Sequence, residues 1–440
     1  MALTKLTTDL IDSTIVTSVN GSTGAVTLGT GTDWQATPKT ADFTAVAGEG
    51  YFVDTTSAEI TVTLPSSPSA GDEVSIVDYA GTADTNNITI TSSDNINGLS
   101  SPAFIDYERG GASMIYVDST QGWIAYNATN ETARALNPTP LNVDYLIVAG
   151  GGGGGNSSTN AYGGGGGGAG GLRTSYGPNS GGGASAETSI KLQSSTLYNI
   201  SVGAGGVAQN VGTDSSFNGI SASRGGYGGF SAGAGTTGGS GGGGGGPSGS
   251  GGNGTILQGY AGGDGGVGGY ANAAGGGGAD AAGSDGGSYT SYPQSTVTGG
   301  DGGAGLAVNI INASNASTAS VGEVSGSDVY FAGGGGGGVT FHNDGTAGGI
   351  GGGADAPVGG NNGNNGTDRT GGGGSGCSTN LNSNNNTGGT GGSGVVILRY
   401  PSVYSITLGS GIVQASGSPF TEGTDKVSVF TGGTGTISFS

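Results

Sequence analysis

Over the first third of the chain, apolar and polar residues alternate in short stretches. Ile60, Val62 and Leu64 are separated by Thr61 and Thr63, the period-two pattern of a strand with one buried face. Val74–Val77, Ile88–Ile90, Met114–Val117 and Trp123–Tyr126 read the same way, with Pro65, Pro68, Gly71 and Asn97-Gly98 between them. Spacing of about ten residues predicts a small antiparallel sandwich over residues 31–135. Trp34 and Trp123 bracket this module as core or interface residues. Ahead of it, Leu3, Leu6 and Leu10 form one short helical stripe, too short for a lone helix. Residues 1–30 therefore read as an attachment segment that docks onto another protein or onto its own copies. Within them, Val19–Leu28 reads as extended chain with tight turns. Residues 136–142, with Asn137-Pro138-Thr139-Pro140, read as a stiff hinge.

From residue 143 to 401 the period changes. The apolar runs Val143–Ala149 and Val395–Tyr400 bound a glycine-dominated stretch. Inside it Tyr227 and Phe230, Asp264 and Val267, Asp301 and Ala304, Ala347 and Ile350, and Thr390 and Ser393 are each separated by Gly-Gly. A spacing of three fits neither α-helix nor strand. It predicts left-handed threefold helices of the polyglycine-II type, whose backbone groups find partners only in neighbouring segments. Pure runs such as Gly163–Gly168, Gly241–Gly246 and Gly333–Gly338 belong where no Cβ fits, and Gly-Gly-X runs belong on the rim. On the order of eight to twelve such helices are expected side by side. Val143–Ala149, Leu197–Val202 and Val395–Tyr400 would form a sheet closing their base. Residues 402–440 return to strand patterning at Val403–Leu408, Ile412–Ala415, Lys426–Phe430 and Thr436–Phe439. The expected fold is thus mainly β and irregular: an N-terminal β-sandwich-like module, then a polyglycine-II helix bundle closed by a small β-sheet.

Composition narrows the classes. The chain has 440 residues, 107 of them Gly, yet 32% are hydrophobic and only 9% charged, unlike a charged disordered linker. Collagen is excluded by 12 Pro and the lack of a chain-long Gly period. A net charge of −20 opposes binding to nucleic acid or an anionic membrane. One Cys and one His argue against disulfide stapling and against zinc or iron–sulfur sites. The first residues lack an apolar signal core, and no apolar run is long enough for a membrane-spanning helix. Synthesis in a cytoplasm without a Sec signal is expected.

No catalytic group emerges, and neither a metal nor another cofactor is expected. His342 and Asp344 could pair as in a hydrolase, but they read as a polar loop. The many G-x-G-x-x-G matches arise because everything there is glycine. Asp264, Asp280, Asp285 and Asp301 are the carboxylates available to a depolymerase, and the sequence does not pair them. What remains are turns rich in aromatic and amide groups: Tyr289 and Tyr292 in 288–294; Phe341, His342, Asn343 and Asp344; and Tyr176 and Asn179. Such side chains suit recognition of glycans or protein loops, and equally they can cover the rim of the glycine layer.

Four anchors recur in order: Tyr145–Gly150 with its glycine run; Tyr198–Val202 with Gly203–Gly206; Tyr330–Ala332 with Gly333–Gly338; and Gly391–Tyr400. Together they resemble the glycine-rich domain of bacteriophage tail fibre proteins. Val19–Leu28 and the β module also resemble parts of phage fibres, those of cyanophages among them, as does Ala2–Ile15 more weakly. The resemblance implies a receptor-binding adhesin in a virion, a polyglycine-II fibre tip whose loops contact a host glycan or outer-membrane protein, and homotrimeric fibres docked on tail or baseplate proteins. The alternatives are a structural virion component without receptor binding and, further off, an ice-binding protein.

Overall fold

The computed structural model describes residues 31–128, 137–138, 141–157, 162–194, 196–268, 271–288, 298–340, 345–380 and 385–440. They fall into two units, Met1–Pro140 and Leu141–Ser440.

In the first unit consecutive strands alternate between two sheets. Asp33–Lys39, Glu49–Val53 and Glu73–Asp78 lie parallel in one. Phe43–Thr44, Ile60–Thr63 and Ile88–Thr91 lie parallel in the other. Each strand pair is therefore one turn of a two-sided coil, and neighbours within a sheet, a full turn apart, run in the same direction. Only then does the chain reverse. Ala103–Ile105 pairs antiparallel to Ile88–Thr91, and Gly111–Asp118 and Gly122–Ala128 extend the first sheet antiparallel. This corrects the expected antiparallel sandwich. Alternation in the sequence reports which residues are buried, not which strands pair.

The period-two apolar residues do form the core: Val53, Ile60, Val62, Leu64, Val74, Ile76, Ile88, Ile90 and Met114 are buried together. Trp123 joins them, edge-on to Tyr116 at 5.6 Å. Trp34 instead stacks on Phe52 at 5.0 Å and stays 42% exposed. The buried Asp78 carboxylate accepts the N–H groups of Gly81, Ala83 and Arg109. It thereby ties two loops to the coil.

The second unit is built on an 11-stranded, nearly closed barrel-like sheet. Leu141–Val148 pairs antiparallel with Val395–Pro401, which pairs with Asp425–Phe439, which pairs with Tyr198–Val202. The long strand Asp425–Phe439 therefore lies between two of the three strands expected to close the base. The apolar runs at 143–149 and 395–400 are continuous because both faces of the sheet are covered. Val143, Tyr145, Ile147, Val396, Leu398 and Tyr400 face a core with Phe217, Phe430 and Phe439. Leu146, Val148, Val395 and Ile397 face a second core with Ile310, Ile311 and Phe331.

The expected helix bundle is not present among the described residues. Strand makes up 31% and helix 3%, with Ala313–Ala319 the one α-helix. The glycine tracts are extended segments that belong to no helix or strand. The physical reason is where their hydrogen bonds go: most of their N–H groups leave their own segment for another, so the order is that of a cross-linked layer.

Those bonds rotate with a period of three. Gly333 and Gly336 donate to Gly351 and Ala354, Gly334 and Gly337 to Gly303 and Gly300, and Gly335 and Gly338 to Gly167 and Gly164. The same rotation runs through Gly241–Gly246, whose successive partners lie in 260–263, 233–236 and 163–166. Segments surround such a tract on every side. A Cβ on Gly165 would sit 2.0 Å from the Gly243 oxygen, and one on Gly166 2.0 Å from that of Gly335. Glycine is required here for close approach of backbones, not for a special φ.

On the rim one N–H per turn faces away from the layer, and short side chains cap it. Asp285 Oδ1 accepts from Asp264 N–H at 2.8 Å, Asp264 Oδ1 from Gly251 N–H at 2.8 Å, and Asp301 Oδ1 from Ala347 N–H at 2.9 Å. Leaving such donors unpaired would cost about 1–3 kcal/mol each where they are buried.

Candidate functional site

The glycine layer has two different ends. Gly150 follows the strand Leu141–Val148 and Gly394 precedes Val395–Pro401, which marks the sheet end. Gly152 donates to Gly168 and Gly155 to Gly165, so Asn156, Ser157 and Gly163 lie at the opposite end.

A hydrogen-bonded belt of hydroxyls and amides runs across that far end. Gly163 N–H donates to Thr340 Oγ1 and Thr340 N–H to Asn272 Oδ1 at 2.8 Å. Asn272 N–H donates to Gly287 O, and Gly287 N–H to Thr298 O. Val339 N–H donates to Ser378 Oγ, and Asn386 Nδ2 to Ser378 O at 2.7 Å. Ser157 and Asn386 bond each other through backbone and side chain. Ser157, Asn272, Thr340, Thr346, Ser378 and Thr379 are all buried. Their hydroxyls and amides close the layer where its glycine backbone turns.

Thr298 and Thr340, in this belt, and Ser288 and Gly345 are the described residues that flank 289–297 and 341–344. Tyr289, Tyr292, Phe341, His342, Asn343 and Asp344 lie outside the described residues. Beside Gly345 is a shallow cavity of about 330 Å³ lined by Thr346, Ala347, Asp355 and Ala356. Asp355 Oδ1 is engaged there by Gly348 N–H. Phe230 and Val267, on segments rising toward this end, are exposed.

The remaining two candidates lie at the other end. Tyr176 follows the strand Leu172–Thr174, and its ring lies 5.3 Å from the Arg399 guanidinium. Arg399 in turn bonds Asp425 at 2.8 Å and Glu422 at 3.1 Å. Glu422 also accepts from Asn312 N–H and Asn315 Nδ2 at the start of Ala313–Ala319. Tyr176 is thus part of the contact that holds the helix to the sheet. Asn179 is exposed in a tight bridge with Ser185. The candidates do not form one site.

Nearby, Arg173 forks onto Glu187 at 2.7 and 2.8 Å, and Tyr145 Oη donates to Glu187 Oε2. Burial pushes the Glu187 carboxyl up, but these hydrogen bonds outweigh it and hold it below its ordinary value. Burial and the Glu187 hydrogen bond push the Tyr145 phenol up. Around Asp264, Asp285 and Asp301 the arrangement is that of amide caps. Sequence reasoning missed that role, although a short polar residue at every third position was its signal. Among the described residues no group of three or more His, Cys, Asp or Glu comes together to hold a metal.

A family model described as a glycine-rich domain matches residues 127–401. No curated protein matches the chain.

Proposed function

The chain belongs to the glycine-rich domain family, and on that premise we propose that it is a phage tail fibre or tail-tip adhesin that binds a host-surface glycan or outer-membrane protein. The observation that carries this reading is the far end of the glycine layer. A hydrogen-bonded belt there holds the residues that flank 289–297 and 341–344, the segments that carry Tyr289, Tyr292, Phe341, His342 and Asn343. Loops on a rigid scaffold are the usual place for recognition. In this reading the chain trimerises, as fibres do, and docks on tail or baseplate proteins through residues 1–30.

The test is adsorption of particles in which Tyr289, Tyr292, Phe341 and His342 are all replaced by Ser. Assembly should be normal and adsorption to host cells lost. Normal adsorption by these particles, with the labelled chain imaged on the sheath or capsid, would make it a structural component instead.

A further inference from the structure

One lateral face of the glycine layer carries a built polar ridge. The segment 361–368 lies on the rim beside 386–394. Asn362 Oδ1 accepts from Thr387 N–H and Asn365 Oδ1 from Thr390 N–H, both at 2.9 Å, and Asp368 Oδ1 accepts from Ser393 N–H at 3.0 Å. On the other edge of the same segment the amides point the opposite way. Asn361 Nδ2 donates to Val358 O at 2.8 Å and Asn364 Nδ2 to Asp355 O at 3.0 Å. The partners fix the orientation of all four amides, because a backbone N–H needs an oxygen and a carbonyl needs an N–H.

Each amide is therefore anchored at one end and offers the other. Asn362 and Asn365 present Nδ2 donors, and Asn361 and Asn364 present Oδ1 acceptors. None of these four outward atoms has a partner among the described residues, and all four side chains are exposed. Donor and acceptor rows each repeat after three extended residues, about 9–10 Å. The glycines between them, Gly363 and Gly366, donate to Thr387 O and Thr390 O at 2.8 Å, which holds the spacing.

We propose that this ridge binds a linear, neutral polysaccharide lying along 361–368. Each sugar hydroxyl is both donor and acceptor, which matches paired rows of both kinds at a fixed repeat. No aromatic platform or basic side chain occurs among these residues, so a stacked single sugar or a polyanion is disfavoured. Few hydrogen bonds per repeat make a polymer, held at several repeats at once, the fitting ligand. The inference rests on the attachment reading only for the origin of the glycan.

The test is affinity electrophoresis of the full chain in gels holding dextran or hydroxyethylcellulose, with hyaluronate as the anionic control. The variant Asn362→Asp with Asn365→Asp keeps both Oδ1 caps and removes both outward donors. Retardation by at least one neutral polymer is expected, none by hyaluronate, and about a tenfold weaker affinity in the variant at unchanged melting temperature. Absence of retardation by both neutral polymers overturns the proposal, and so does equal retardation of the variant. Equal retardation of an Asp264→Asn control on another part of the rim is expected. Particles carrying the double variant separate the two readings. If they adsorb normally while the four-Ser particles do not, the ridge has no part in attachment but the attachment reading stands.

Discussion

The N-terminal coil and the glycine layer hold their chains together by opposite means. In the coil, Ile60, Val62, Leu64, Val74 and Ile76 supply apolar surface, and glycine serves turns, as at Gly48 with φ +87° and nothing near it. In the layer, side chains are excluded and backbone bonds rotate among three neighbours. The contrast shows that glycine has two unrelated uses in one chain, and only its surroundings tell them apart.

The largest expected effect breaks the layer. Replacing Gly165, Gly166 and Gly167 together by Ala puts three Cβ atoms 2.0–2.2 Å from backbone oxygens. At overpacking costs of about 1–3 kcal/mol each, the loss is about 3–9 kcal/mol. Denaturant unfolding should show it, whereas Gly432→Ala, with open space around it, should change stability by less than about 0.5 kcal/mol. Next comes the coil. Leu64→Ala should cost about 2–5 kcal/mol by leaving a cavity, and the transition of the second unit should not move.

Smaller effects depend on pH. Tyr51 in the coil is pushed up to about 12, chiefly by burial and then by its hydrogen bond to Glu49. A phenol raised in the folded state contributes stability that persists up to its unfolded value near 10. It fades as pH rises through 12. Glu187, held below 4.5, acts oppositely. Its contribution is present above that value and is lost as pH falls through the folded one. Mild acid should therefore shift the barrel, and Glu187→Gln should flatten that acid limb, while alkali should shift both units because Tyr145 and Tyr400 in the barrel are raised as well.

Much of this was legible in the sequence, for physical reasons. Period two marked Ile60–Leu64 as half-buried, and period three marked Thr390 and Ser393 as rim positions, because side-chain direction follows backbone repeat. Pairing was not legible. Nothing in Ile60–Thr63 says that its neighbour is Ile88–Thr91 in parallel, and nothing in Asp425–Phe439 says that it inserts between Val395–Pro401 and Tyr198–Val202. The helix Ala313–Ala319 was also missed, since Asn312-Ala-Ser-Asn reads first as a polar turn. Asn312 Oδ1 caps its first turn by accepting from Asn315 N–H, and Glu422, distant in sequence, adds bonds from Asn312 N–H and Asn315 Nδ2.

The inner glycine tracts Gly164–Gly168, Gly241–Gly246 and Gly333–Gly338 are ordered by backbone bonds at every residue. Native-state hydrogen exchange tests this most directly. Consecutive amides from Gly164 to Gly168 and Gly333 to Gly338 should all be protected, as strongly as those of Val74–Val77 in the coil. Exchange of those glycine amides at unfolded-chain rates, with Val74–Val77 still protected, would contradict it.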